Sequence, residues 1–218
     1  SRSVRRADRL AAMTTLSRTT LDQLLDDLAE QGWAIATNAL PVDLTLELAQ
    51  ECRERSSMGA LQPAGVGRGS AHGVQEGVRG DHIQWLEPGQ CAAGDRYLAM
   101  LDDLRGQLNQ ALYLGLEDYE GHFALYPPGT FYQKHLDRFR DDDRRAVSAV
   151  FYLNSDWLPE QGGALRLCLA DGRELDVLPE AGTLVLFLSA DLPHEVLPAT
   201  RERLSLTGWL RRRGNSPL

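Results

Sequence analysis

The chain is poor in cysteine and has no long apolar run, and each shortage excludes a class of protein. Its three cysteines, Cys52, Cys91 and Cys168, are odd in number and lack the spacing of metal ligands, so they support neither a disulfide framework nor a zinc finger. No apolar stretch approaches the length of a membrane span, and no segment has the order of a signal peptide. We therefore expect a soluble, cytoplasmic protein that has no membrane partner.

Positive charge is also scarce in this sequence. The 218 residues include 23 lysines and arginines against 31 acidic residues, which gives a formal net charge of −8 and a pI near 5.1. Binding to a phosphate backbone requires a concentrated basic face, so we do not expect a nucleic-acid partner. Arg211-Arg212-Arg213 is a dense basic run near the end of the chain, and we interpret it as a solvated tail.

The length of the chain suits one domain, because about 200 residues can bury a core without disulfides or structural zinc. The arginine-rich segment 1–12 precedes Met13, and we interpret it as a leader that was added by cloning or is disordered. Residues 13–218 are then the single domain. We expect residues 13–115 to provide helical support and residues from about 120 to 212 to form strands.

Leucines recur at helical spacing in three segments of the first half. The first segment ends at Gly32, and the second opens at Pro41. The apolar faces consist of Leu21, Leu24, Leu25 and Leu28, then Leu44, Leu48 and Cys52, and finally Leu98, Leu101, Leu104, Leu108 and Leu112. The glycine-dense segment 59–80 lies between the second and third helices, and so long a loop is usually either disordered or a functional lid.

From His122 onward apolar residues alternate with a period of two, which is typical of short strands separated by turns. Leucines line one face of each strand, but the second face of the last strand carries Arg203, Ser205, Thr207 and Trp209. Such a face suits the inside of a two-sheet barrel that holds a charged ligand. We therefore predict a mainly β fold with supporting helices, a double-stranded β-helix or jelly roll. The N-terminal helices should pack on one sheet, against the leucine faces of the strands. The mixed faces should line the inside of the barrel.

His135-Leu136-Asp137, followed by His194 and Arg203, is the most informative motif. Residues two apart on a strand point to the same side, so His135 and Asp137 should project together. Two imidazoles and one carboxylate can hold ferrous iron and leave its opposite positions open. Arg203 could then pair with the carboxylate of a co-substrate. A turn at residues 198–200 predicts that Arg203 lies on the strand that adjoins His194.

The stretch from about Tyr126 to Trp209 resembles the catalytic core of iron and 2-oxoglutarate dependent oxygenases, specifically prolyl hydroxylases of the hypoxia-inducible-factor type and their bacterial relatives. The resemblance rests on Tyr126, residues 132–137, residues 151–157, Gly162-Gly163, residues 193–196, Arg203 and Trp209, together with the upstream segment 78–85. It implies that residues 13–218 form one 2-oxoglutarate oxygenase domain. It also implies that His135, Asp137 and His194 bind Fe(II).

The same resemblance implies roles for residues around the metal. Arg203 would pair with the distal carboxylate of 2-oxoglutarate, and Tyr152 would donate a hydrogen bond to that carboxylate. The pocket would be lined by Tyr126, Thr207 and Trp209. The residues expected near the substrate are Arg145, Arg79 and Asp81.

The implied reaction uses Fe(II), 2-oxoglutarate and O2, with ascorbate as a further cofactor, and converts a prolyl residue of a protein to 4-hydroxyproline. The expected partner is a loop proline of elongation factor Tu, on which similar bacterial enzymes act, and the free enzyme is expected to be a monomer. The glycine-rich segment would close over this substrate. Two alternatives stay open: an oxygenase that acts on a free amino acid or another side chain, and a non-catalytic sensor of iron and 2-oxoglutarate.

Overall fold

The computed structural model describes residues 16–66, 73–74, 77–138 and 142–214. The predicted leader over residues 1–12 and the start at Met13 lie outside these ranges. Residues 67–72 and 75–76 of the predicted lid also lie outside them. Within the described part of the chain, no helix is long and apolar enough to cross a membrane.

Three helices form where the leucine spacing predicts them: α1 (Arg18–Gln31), α2 (Val42–Ser57) and α3 (Ala92–Leu112). The Ser17 hydroxyl accepts a hydrogen bond from the Thr20 backbone N–H and caps the start of α1. Gly32 ends this helix with a φ of 81°, a left-handed conformation that glycine adopts without a steric penalty.

The other regular elements of the described chain are antiparallel strands and one 3-10 helix, Pro159–Gln161. The strands are β1 (Trp33–Ala36), β2 (Gln62–Pro63), β3 (Gly65–Val66), β4 (Gly73–Val74), β5 (His82–Trp85), β6 (Leu116–Tyr126), β7 (Tyr132–His135), β8 (Arg145–Tyr152), β9 (Leu165–Cys168), β10 (Glu174–Val177), β11 (Leu184–Leu188), β12 (His194–Val196) and β13 (Arg203–Arg212). Seven of them form a sheet in the order β1-β11-β8-β13-β6-β5-β2, and four form a sheet in the order β10-β9-β12-β7. β3 and β4 pair with each other in a separate two-stranded sheet.

The helices cover the outer face of the seven-stranded sheet. Leu24 of α1, Leu48 of α2 and Leu104 of α3 are buried in one core with Val147 and Phe151 of β8 and with leucines of β11 and β13. A second core fills the space between the two sheets. The prediction of a jelly roll with helices packed on one sheet is confirmed.

One strand departs from the predicted orientation of the leucine faces. Leu165 and Leu167 of β9 point between the sheets, where they pack with Tyr126 and Val196, and not toward the helices. β9 belongs to the four-stranded sheet, whereas the helices pack on the seven-stranded sheet. The buried face of β9 is therefore the face that is turned toward the space between the sheets. Burial against the opposite sheet therefore explains the leucines of this strand.

The basic run near the C-terminus is not a solvated tail throughout. Arg211 and Arg212 extend β13, and the Arg211 guanidinium forms ion pairs with Asp118 and Glu120 of β6. The interpretation as a solvated tail was therefore wrong for Arg211. The carboxylates that compensate its charge lie about 90 positions earlier in the chain, so the local sequence does not indicate them.

Candidate active site

His135, Asp137 and His194 come together at the end of the four-stranded sheet. His135 of β7 and His194 of β12 are direct partners on neighbouring antiparallel strands. Each Nε2 atom lies 3.2 Å from Oδ1 of Asp137. One potential ligand atom from each residue lies within 4.8 Å of the others, and no second such group occurs among the described residues.

Backbone carbonyls fix the orientation of both imidazoles. Nδ1 of His135 lies 2.7 Å from the carbonyl oxygen of Gln133, and Nδ1 of His194 lies 3.0 Å from that of Leu192. A carbonyl can only accept, so each Nδ1 carries a proton, and in a neutral imidazole each Nε2 then presents a lone pair to the centre. Metal-binding histidines are commonly oriented in this way.

Two buried donors fix the carboxylate of Asp137. Its Oδ2 atom accepts hydrogen bonds from the Ser148 hydroxyl at 2.7 Å and from Nε1 of Trp209 at 3.0 Å. Ser148 is itself within 2.9 Å of the Ser189 hydroxyl. These contacts occupy Oδ2 and leave Oδ1 directed toward the two imidazoles.

The electrostatics of this centre favour a cation. Burial raises the pKa of Asp137, but His194 and His135 outweigh burial and hold the pKa well below its usual value. Burial lowers the pKa of His194, but Asp137 raises it more, so the net shift is upward. A carboxylate beside two imidazole nitrogens is a donor set that suits a divalent ion such as Fe(II).

Arg203 is buried on β13, with 2% of its surface exposed. Its Nε donates to the carbonyl oxygen of Gly163 at 2.7 Å, and its Nη2 donates to the Tyr152 hydroxyl at 3.3 Å. None of the ion pairs found in the described parts of the chain includes Arg203. A buried cation is costly unless an anion replaces its water, so this pocket favours an anionic ligand.

The two tyrosines beside Arg203 keep their protons. Burial raises the pKa of Tyr152 more than Arg203 lowers it, and burial likewise raises the pKa of Tyr126 well above its usual value. The Arg203 guanidinium lies about 5 Å from both ring centroids. Because the Tyr152 oxygen accepts from Arg203, its own proton is available to a ligand.

Arg203 and His194 lie across the interior from each other. His194 pairs with His135 in the four-stranded sheet, whereas Arg203 pairs with Tyr126 in the seven-stranded sheet. The prediction that Arg203 lies on an adjoining strand was wrong, because the turn at residues 198–200 carries the chain from one sheet to the other. This crossing places the cation opposite His135, Asp137 and His194, with space between them.

That space is a cavity of about 350 Å³. Every site residue predicted from the sequence lies on its wall, and the set is Arg79, Asp81, Tyr126, His135, Asp137, Arg145, Tyr152, His194, Arg203, Thr207 and Trp209. The cavity is large enough for a small dicarboxylate and opens to the surface.

Arg79 and Asp81 form an ion pair on the cavity wall. Nε and Nη2 of Arg79 donate to the two carboxylate oxygens of Asp81 at 2.6 and 3.1 Å. The guanidinium lies 4.7 Å from the ring centroid of Tyr132. Tyr132 in turn stacks on His135 with 3.6 Å between ring centroids. The ion pair therefore supports the imidazole of His135 through an aromatic stack.

Sequence reasoning did not assign several residues of this wall or of its immediate support, among them Ser148, Glu120, His122 and Trp85. Counting back in twos from Tyr152 gives Ser148, and counting back from Tyr126 gives His122 and Glu120. The alternation was visible, but the pairing of β6, β13 and β8 that aligns these residues was not.

Comparison with known proteins agrees with the fold and the donor set. Residues 121–211 match the model of the 2OG-Fe(II) oxygenase superfamily. The solved structure of a Pseudomonas putida prolyl-4-hydroxylase is 60% identical, with a TM-score of 0.83, and the match covers 89% of this chain and 100% of that one. This chain belongs to the prolyl hydroxylases of the 2OG-Fe(II) oxygenase superfamily.

Two further prolyl hydroxylases extend the comparison. A Trichoplax adhaerens prolyl hydroxylase, solved in complex with a hypoxia inducible factor oxygen degradation domain peptide fragment, is 25% identical with a TM-score of 0.79, and the match covers 94% of this chain and 92% of that one. The Caenorhabditis elegans hypoxia-inducible factor prolyl hydroxylase is 29% identical over 91% of this chain. The chain spans only 29% of the length of that C. elegans protein.

Proposed function

We propose that this protein is an Fe(II)- and 2-oxoglutarate-dependent dioxygenase that hydroxylates a prolyl residue of a protein to 4-hydroxyproline. The observation that carries the proposal is the shared cavity, in which a His-Asp-His donor set faces a buried arginine that has no ion-pair partner among the described residues. We expect the target to be a loop proline of elongation factor Tu, and we expect the free protein to be one monomeric domain.

In this proposal His135, Asp137 and His194 hold Fe(II) through two Nε2 atoms and one carboxylate oxygen. With 2-oxoglutarate and O2, the bound ion supplies oxidative decarboxylation to succinate and CO2 and the insertion of one oxygen atom into a prolyl C–H bond. The protein's own part is orientation, because the Nδ1 hydrogen bonds and the contacts of Asp137 fix all three donors before any ligand arrives.

Arg203 and Tyr152 would bind the distal carboxylate of 2-oxoglutarate. The guanidinium supplies the compensating charge, and the Tyr152 hydroxyl supplies a hydrogen bond, because its proton is not engaged by Arg203. Tyr126, Thr207 and Trp209 would line the remaining wall and exclude water from the reacting atoms.

The protein substrate would approach at the wall formed by Arg145, Arg79 and Asp81. A protein rather than a free amino acid is favoured because the similar Trichoplax adhaerens enzyme was solved with a peptide fragment bound. The cavity opens to the surface, which a protein substrate requires. The predicted role of residues 59–80 in closing over the substrate stays a prediction.

The test is incubation of the purified protein with Fe(II), 2-oxoglutarate, O2 and ascorbate together with purified bacterial elongation factor Tu. Tandem mass spectrometry should find one added oxygen atom on a proline, with succinate formed in equal amount. Oxidation of a free amino acid or another side chain would support the alternative oxygenase, and binding of 2-oxoglutarate without turnover would support the sensor. Omission of ascorbate should lower the yield by allowing the metal to become oxidised.

A further inference from the structure

Two arginines face each other across neighbouring strands at the edge of the cavity. Arg145 of β8 and Arg211 of β13 are direct register partners, and like charges in this arrangement destabilise a sheet. Glu120 of β6 lies between them. One of its carboxylate oxygens accepts from Nε and Nη2 of Arg145 at 3.3 Å, and the other accepts from Nη1 of Arg211 at 3.0 Å.

Arg145 connects the carboxylate of Glu120 to Asp137, one of the three proposed metal ligands. Its guanidinium carbon lies 3.5 Å from the ring centroid of Trp209, and its Nη1 donates to the backbone carbonyl of Asp137 at 3.3 Å. The indole of Trp209 donates to Oδ2 of the same aspartate. The side chain of Asp137 is thus held by an indole that is itself covered by an arginine.

Partial burial strengthens the electrostatic interactions among Arg145, Glu120 and Arg211. The side chains of Arg145, Arg211 and Glu120 are only 12%, 19% and 22% exposed, so solvent screens their interactions less than those of a surface ion pair. Removing the charge of Glu120 would take away the carboxylate that the two arginines share, although Arg211 would keep its ion pair with Asp118. The Arg145 guanidinium would then lose the contact that fixes its Nε and Nη2, and it would be held less firmly over the indole and against the Asp137 carbonyl.

We propose that Glu120 is a positioning residue for the metal ligand Asp137. It acts through Arg145 and Trp209 and does not touch the metal or the substrate. The inference rests on the proposed function, since it assigns Asp137 as a ligand. It also gives Arg145 a second role beside the one predicted for it near the substrate.

The test measures metal binding and needs no turnover. Mn(II), which prefers the same nitrogen and oxygen donors and is stable in air, is titrated into the metal-free protein and followed by calorimetry. Glu120→Gln should raise the Kd for Mn(II) about 10-fold, the lower end of the effect of outer contacts on metal affinity. Asp118→Asn is the matched control, because Asp118 binds the same Arg211 but does not contact Arg145. Its Kd should stay within about twofold of the unmodified value, as for an exposed pair.

A second variant keeps the inference testable if Glu120→Gln does not fold. Arg145→Lys keeps the charge beside Glu120 but lacks the planar group that stacks on Trp209, so it should weaken Mn(II) binding similarly. Folding of each variant is checked by its thermal midpoint. An unchanged Kd in a folded Glu120→Gln or Arg145→Lys protein overturns this inference alone. If the unmodified chain binds no Mn(II), the proposed function fails and the inference fails with it.

Discussion

Replacing Arg203 with glutamine tests the co-substrate pocket most sharply. The substitution removes a buried positive charge and leaves an amide that is too short to keep both contacts, to the Gly163 carbonyl and to the Tyr152 hydroxyl. Removing one partner of a buried charge pair costs about 2–5 kcal/mol, which corresponds to a factor of roughly 30 to 5,000 in affinity. The affinity in question is that for 2-oxoglutarate.

The assay is succinate formation at increasing 2-oxoglutarate, with direct binding of 2-oxoglutarate to the Mn(II)-loaded protein as a second readout. Arg201→Gln is the matched control, because Arg201 contacts the Ser155 carbonyl and the Trp157 ring outside the cavity. We expect a large rise in the 2-oxoglutarate requirement for Arg203→Gln and almost none for Arg201→Gln. An equal requirement in both variants would show that another group binds the distal carboxylate.

Three further predictions follow from the contacts and charges of the site. Asp137→Ala and His194→Ala should each abolish succinate formation while circular dichroism shows the fold intact; turnover at the unmodified rate would refute the metal assignment. Ser148→Ala removes one of the two hydrogen bonds to Oδ2 of Asp137, so Mn(II) should bind about 10-fold more weakly, and unchanged binding would mean that Trp209 alone suffices. Burial lowers the pKa of His122 to about 4 from 6.5, so the unfolded chain takes up this proton first as the pH falls. Neutral His122 therefore contributes its full stabilisation above pH 6.5, and the free energy of unfolding falls by about 3 kcal/mol between there and pH 4. In urea unfolding, His122→Gln should make the free energy of unfolding depend less steeply on pH over this range.

The local elements of this fold were predictable because their signals are local. Leu24 and Leu28 recur with helical spacing, and Gly32 follows where the chain must leave the helix. The alternation of Phe151 and Tyr152 likewise assigned opposite faces to one strand before any partner strand was known. Such patterns depend only on the geometry of one helix or one strand.

The contacts between sheets were not predictable in the same way. Nothing in the sequence near Arg203 indicates that its strand lies in the opposite sheet to His194, because both sheets have similar leucine patterns. Glu120 was missed for the same reason, since its two partners lie 25 and 91 positions away in the chain. The residue types of the candidate metal centre were predictable, whereas the residues that orient them depend on strand order.

The most direct test of the central claim is turnover under isotopically heavy O2 with elongation factor Tu as substrate. The account predicts one heavy oxygen atom in a prolyl residue and one in succinate, and neither product with the Asp137→Ala variant. Labelled succinate without labelled hydroxyproline in any protein substrate would contradict prolyl hydroxylation. Absence of label from both products would contradict the assignment of this cavity as the site of an oxygenase.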